Sequence, residues 1–294
     1  MNTLRVQSHL KEIQDYINYK CQRSDASLLM LEASSIIIII GKEQINEIIT
    51  YVKLNLVSRH MVFGIVEGIQ KSTNYAERRI QNLICSLAQN FIDIPDTILI
   101  TLFDSLASLD EEDLKEFILN PFFKDLAQNY KLLNNFNEMN MINDLVVKLL
   151  DIKNEKGILH ADCGMGSFLL KAAQEYKDTC FYGYSSNSRL ADLAQVRAYI
   201  FDLNIQIDKK ELFTVSDQLL DNIYITYPFN IKYDMDEMMP KYYSLPIASN
   251  FPIKRYSVNM LTCVFFLEQL SHNGKMFVLV PEGGLFNNVD KNIR

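Results

Sequence analysis

GILHADCGMGSFLL, residues Gly157 to Leu170, is the stretch on which the fold reading turns. Gly157, Ile158 and Leu159 lead into a turn carrying Gly164 and Gly166, and a helix opens at Ser167. A strand that runs into a glycine turn and a helix N-terminus is a ready-made cofactor cradle. The glycines let backbone approach a ligand, and the N–H groups at the helix start favour a carboxylate or other anion. The same turn also serves as a plain strand-to-helix connection, so its meaning depends on the segments C-terminal to it. NIYITYPFN (Asn222 to Asn230) reads as a second strand ending in an aromatic-Pro-aromatic turn. GKMFVLVPEGGLF (Gly274 to Phe286) reads as a third, ending in Pro and two glycines.

Outward from these blocks, strands and helices alternate. Strands are expected at Gly157–Ala161, Thr179–Tyr184, Leu212–Val215, Asn222–Thr226 and Lys275–Val280. Helices are expected at MINDLVVKLL, Ser167–Tyr176, Arg189–Leu203 and Val258–Leu270. Alternation of this kind predicts an α/β fold with a parallel sheet covered on both faces. The expected strand order is 3-2-1-4-5, with the ligand beyond the carboxyl ends of the strands.

The N-terminal part reads as helical. His9 to Tyr19 has helical apolar spacing at Leu10, Ile13, Tyr16 and Ile17. Asp25 is a plausible N-cap for a buried helix through Leu28, Leu29 and Leu31. The run Ile36 to Ile40 stays ambiguous: β-branched residues favour a strand, their neighbours a helix. Ser108 with Glu111 fits a capping box, and Asp110 to Asp113 read as a solvated helix start rather than a metal site. The polar stretch Asn134 to Asn140 marks a boundary. The expected domains are therefore 1–137, all-helical, and 138–294, α/β.

Composition narrows the function classes. Acidic residues outnumber basic ones 36 to 29, for a net charge of −7. That argues against a chain that grips DNA unaided, because Lys and Arg supply most non-specific DNA affinity. It leaves room for a DNA enzyme that borrows its contacts from a partner. The isoleucine run is too short to cross a bilayer, and the polar N-terminus does not read as a secretory signal. The five cysteines form no CxxC pair and no zinc spacing, which fits a reduced, cytoplasmic protein. Cys163, inside the glycine turn, reads as a packing residue rather than a nucleophile.

From roughly Asn140 to Arg294, the three blocks in this order resemble the DNA adenine-N6 methyltransferases that form the modification subunit of type I restriction-modification systems. Those enzymes usually read DPxCGSGxFL, NPPF or NPPY, and a GGRxxxVxPxGxLF-like stretch. The resemblance implies a class I, Rossmann-like S-adenosylmethionine-dependent methyltransferase sheet. It implies S-adenosylmethionine as cofactor, adenine in DNA as substrate, and specificity and restriction subunits as partners. The family normally continues with two more strands and a helical tail; ending at Arg294, the chain is expected to be C-terminally short, either as a natural short form or as a truncated product.

Carried over by position, the cofactor contacts are His160, Asp162, Gly164, Gly166, Ser185 and Asp217, and the catalytic loop is Thr226, Tyr227, Pro228 and Phe229. Several of these depart from the family pattern. His160 stands where an acid is usual, with Ala161 in place of Pro. Ser185 replaces the acid that accepts from the ribose hydroxyls, and a charged acceptor contributes about 1.5–3 kcal/mol, roughly tenfold to a hundredfold in affinity. Glu138 and Met139 stand where Thr-Pro is common. Thr226 replaces the amide that accepts an adenine amine proton, and Tyr227 replaces a Pro, while Phe229 can still stack on a flipped base. These departures predict weak or lost methyl transfer. The alternative is an inactive pseudo-methyltransferase acting as an interaction or regulatory subunit; an RNA or small-molecule methyltransferase is a third possibility.

Overall fold

The computed structural model describes residues 3–23, 25–54, 61–62, 64–66, 78–121, 140–150, 157–210, 220–226 and 258–279. Contacts divide the chain into two compact units: Met1–Leu133 with Asp192–Asp202, and Asn134–Ala191 with Leu203–Arg294.

In the first unit every described regular element is helical: α1 (Thr3–Cys21), α2 (Ala26–Ile40), α3 (Lys42–Lys53), α4 (Arg78–Gln89), α5 (Asp96–Ala107) and α6 (Glu111–Leu119). α2 contacts all the others and is buried without a break from Ala26 to Ile37. That burial resolves the isoleucine run as helix. A helix enclosed on every side is apolar all round, and tertiary packing overrides β-propensity. Gly41, at φ 92°, ends it. The long polar side chains Glu32 and Arg197, both buried in this core, are bonded: Asn90 donates to Glu32 at 2.9 Å, and Arg197 donates to the Ile118 and Leu119 carbonyls at 2.9 and 3.2 Å, closing the end of α6.

Two of the expected caps are different in the structure. Asp25 occupies the N-cap position of α2 without a side-chain cap bond; its carboxylate takes both Nε and Nη2 of Arg23 at 2.8 Å, since a charged fork nearby outcompetes a backbone N–H. Ser108 does not open α6. It ends α5, donating to the Ser105 carbonyl at 2.7 Å, and α6 starts after Asp110. The acids Glu111, Glu112 and Asp113 do fill the first turn of α6, where the helix dipole favours them.

The second unit holds α7 (Asn140–Leu149), β1 (Ile158–Ala161), α8 (Ser167–Glu175), β2 (Phe181–Ser185), the start of α9 (Ser188–Ile200), β3 (Ile205–Lys209), β4 (Leu220–Thr226), α10 (Val258–Leu267) and β5 (Leu270–Leu279). From Asp192 onward, α9 belongs to the helical unit. The sheet order is β3-β2-β1-β4-β5 and every pairing is parallel, as the strand–helix alternation predicts. The third strand is a correction. The segment paired with β2 is Ile205–Lys209, and Leu212–Val215 lies outside the described residues. Ile205 and Ile207 are buried and Gln206 is exposed, a period-2 pattern that extending the preceding helix to Leu203 obscured.

α8 packs on α7, β2 and β3. Gly183 of β2 permits this: a Cβ there would stand 2.7 Å from Cys163 Sγ, 2.7 Å from Ile207 Cδ1 and 2.8 Å from Leu169 Cδ1. No helix of the described residues is long and apolar enough to cross a membrane.

Candidate active site

β1, β2 and β4 run parallel, so their carboxyl ends, at Ala161, Ser185 and Thr226, meet at one edge of the sheet. The turn beyond β1 is left-handed at three positions: Asp162 (φ 57°), Gly164 (φ 55°) and Gly166 (φ 80°). Glycine adopts that region freely, and aspartate tolerates it better than most residues. The Cys163 N–H donates to the Tyr184 carbonyl at 2.8 Å and the Gly166 N–H to the Cys163 carbonyl at 2.9 Å, which pins the turn against β2. Gly166 is the N-cap of α8, and no side chain caps that helix. A glycine turn leading into a helix N-terminus is an arrangement suited to a ligand carboxylate. Asp162 beside it is only partly exposed, and burial pushes its carboxyl up to about 6. A desolvated carboxyl at a strand end suits a cationic partner. Cys163 is buried and burial pushes its thiol up, which agrees with a packing role.

His160 is used differently. It is 4% exposed, and its ring stacks on Tyr224 (centroids 4.7 Å, 25°) and meets Phe168 of α8 edge-on (5.1 Å, 79°). Nε2 lies 2.9 Å from Thr226 Oγ1, while Nδ1 has no hydrogen-bond partner among the described residues. Burial lowers the imidazole pKa to about 3, so the ring is neutral. Thr226 is likewise 4% exposed. Tyr224 continues the buried cluster, its hydroxyl donating to Asn143 Oδ1 of α7 at 3.2 Å.

At the end of β2, Ser185 is 1% exposed and its hydroxyl donates to the Asn187 carbonyl at 3.3 Å. Asn187 Oδ1 accepts the Leu190 N–H at 3.2 Å and caps α9. The structure thus brings His160 to Thr226, gathers Asp162, Gly164 and Gly166 in one turn, and turns Ser185 onto its own loop. Asp217, Tyr227, Pro228, Phe229, Glu138 and Met139 lie outside the described residues. Sequence reading did not anticipate Phe168, Tyr224, Asn143 or Asn187. Only Asn187, a polar residue one position before a helix, carried a local signal; the other three meet through long-range packing.

The model of the N-6 DNA methylase family matches residues 113–294, which contain the entire sheet and the glycine turn. The chain belongs to that family. No curated protein sequence matches it. Among solved structures, it is similar to the methyltransferase subunit of a type I restriction-modification system from Streptococcus thermophilus (12% identity, TM-score 0.62, 99% of this chain and 78% of that one). It is also similar to a Listeria monocytogenes protein assigned to the class I S-adenosylmethionine-dependent methyltransferases (16% identity, TM-score 0.54, 92% and 78%). At these identities the likeness is one of fold. Within the N-6 DNA methylase family, the chain keeps the parallel sheet and glycine turn while His160, Ser185 and Thr226 are bonded within the protein.

Proposed function

We propose that this chain is a methyltransferase subunit of the type I restriction-modification kind, holding S-adenosylmethionine at the β1–α8 turn and transferring its methyl group to adenine weakly. The observation that carries the reading is the left-handed glycine turn Asp162–Gly166, leading into α8 inside a family-matched sheet. The α8 N-terminus suits the cofactor's carboxylate and Asp162 its ammonium. The ribose end has less support, because Ser185 offers a hydroxyl already bonded to Asn187. When bound, the cofactor supplies an electrophilic methyl group. The protein's part is to present a poorly nucleophilic amine by accepting its protons and holding the base flat. Phe229 supplies an aromatic ring for the base, and the Tyr227 carbonyl one acceptor. A net charge of −7 supports DNA reading through a specificity subunit, with a restriction subunit as a further partner.

Calorimetry tests the first half. A dissociation constant weaker than about 1 μM, that is, binding weaker than about −8 kcal/mol, is expected, and a sub-micromolar value would contradict the argument from Ser185. Tritiated methyl transfer to mixed-sequence DNA, with and without a specificity subunit, tests the second. One observation favours the pseudo-methyltransferase alternative: Thr226 is buried against His160. Cofactor binding with no incorporation under either condition would select it. Robust incorporation that Thr226→Ala abolishes would reject it.

A further inference from the structure

We infer that His160 is a positioning residue of the catalytic edge: its clamped ring takes up the Thr226 hydroxyl and holds it inside the sheet layer, away from cofactor and base. This rests on the methyltransferase reading for its functional meaning, but the geometry stands by itself. His160 and Thr226 are 66 residues apart and on different strands. His160 pairs with Tyr224 in the parallel register, and Thr226 lies two residues further along β4, so side-chain alternation puts Tyr224 and Thr226 on the same face as His160. The ring has little freedom to swing away, with Tyr224 stacked on one side and Phe168 edge-on; those two rings also touch each other at 4.3 Å.

Hydrogen-bond accounting sets the direction. Nδ1 is buried and unpaired among the described residues. An orphaned buried N–H is rarer than an unpaired lone pair, so the proton belongs on Nε2, which donates to Thr226 Oγ1. The threonine oxygen then uses a lone pair on the imidazole, and its own proton remains as a donor. Presenting an adenine amine needs acceptors. With one of its two lone pairs on the imidazole and the group 4% exposed, the Thr226 oxygen is turned into the core rather than toward such an amine. The two departures at these positions are therefore one coupled change: the imidazole at 160 and the hydroxyl at 226 satisfy each other.

Nitrogen-15 NMR of the histidine rings in the full chain tests this. The expected signature for His160 is a protonated Nε2, an unprotonated Nδ1 and a slowly exchanging Hε2, with the Hε2 resonance moving or broadening in Thr226→Val. A ring protonated on Nδ1, or an Hε2 indifferent to Thr226→Val, overturns the inference. His160→Gln retains a donor near the Nε2 position and His160→Leu does not. Dissociation of S-adenosylmethionine from His160→Gln is expected within about twofold of wild type, because the ring faces the core. Weakening by about tenfold, with the thermal unfolding midpoint unchanged, would return His160 to the cofactor site and also overturn it. If wild type binds no cofactor at about 1 mM, the methyltransferase reading fails, and the ring signature still decides the inference.

Discussion

β1 and β4 lie side by side, Ala161 opposite Ile225, yet the polar residues at their ends have different surroundings. Beyond β1, Asp162 is partly exposed in the left-handed glycine turn that opens α8. At the end of β4, Thr226 is buried and bonded to His160. A parallel sheet gathers such residues at one edge, but position at the edge does not make a group available. Availability depends on where the group finds its hydrogen bond. The β1 end keeps the backbone geometry of a ligand cradle. At the β4 end, aromatic packing has drawn the polar group inward.

The largest expected effect comes from removing that packing. Phe168 is 1% exposed and touches both His160 and Tyr224. Phe168→Ala should cost about 3–5 kcal/mol in urea unfolding, as large-to-small changes at buried aromatics do. A loss under about 1 kcal/mol would mean that the site collapses easily and the ring is not held, which would weaken the contrast between the two strand ends.

Much of this contrast was legible in the sequence, and its limits are physical. The glycine turn is local: Gly164 and Gly166 announce left-handed backbone, and both adopt it. The strand order followed from alternation of strands and helices. The β3 position was missed because Ile205 and Ile207 sit directly after a helix, where a short period-2 signal merges with helical spacing. The helical state of Ile36 and Ile37 depended on enclosure by neighbouring helices, which composition does not encode. The His160–Thr226 bond was out of reach because it requires the register between β1 and β4, set by a crossover rather than by neighbouring residues. Reading His160 and Thr226 as two separate losses was reasonable from the motif, but the structure joins them.

Thr226→Val should give an intermediate effect. Valine keeps the shape and removes the acceptor, leaving the His160 Nε2 proton buried and unpaired. Loss of one partner in such a pair costs about 1–3 kcal/mol. Ser185→Ala is the comparator, since its hydroxyl makes a longer bond of 3.3 Å to its own loop; its cost should stay near the lower end of an ordinary bond, about 0.5 kcal/mol. Equal costs for the two, measured by chemical unfolding at one pH, would remove the claim that the β4 end is the more firmly committed of the two.

The effect that separates the ends most directly, and the only one that depends on pH, is expected at Asp162. Burial raises its carboxyl from 3.8 to about 6, so the folded state holds the proton more tightly than the unfolded chain. Stability is therefore lost as pH rises from about 4 through about 6, and the full penalty is present above that. Two pH units correspond to roughly 3 kcal/mol, which partial exposure reduces to about 1–2 kcal/mol. Asparagine tolerates the left-handed backbone and carries no charge. Asp162→Asn should then be more stable than wild type by about 1–2 kcal/mol at pH 7.5 and show no gain at pH 4. His160, with its pKa lowered to about 3, works in the opposite sense: its contribution is complete above about 6.5 and lost as pH falls. It is present in both proteins, so the difference between them isolates Asp162. On the proposed cofactor pose, the same substitution should weaken S-adenosylmethionine binding about tenfold at pH 7.5, by removing the charge proposed to pair with the ammonium. A variant that gains stability and loses cofactor identifies a carboxylate kept at a folding cost for a ligand. A variant that gains stability and binds as well as wild type would make Asp162 another residue turned to the protein's own use, and the two strand ends would no longer differ.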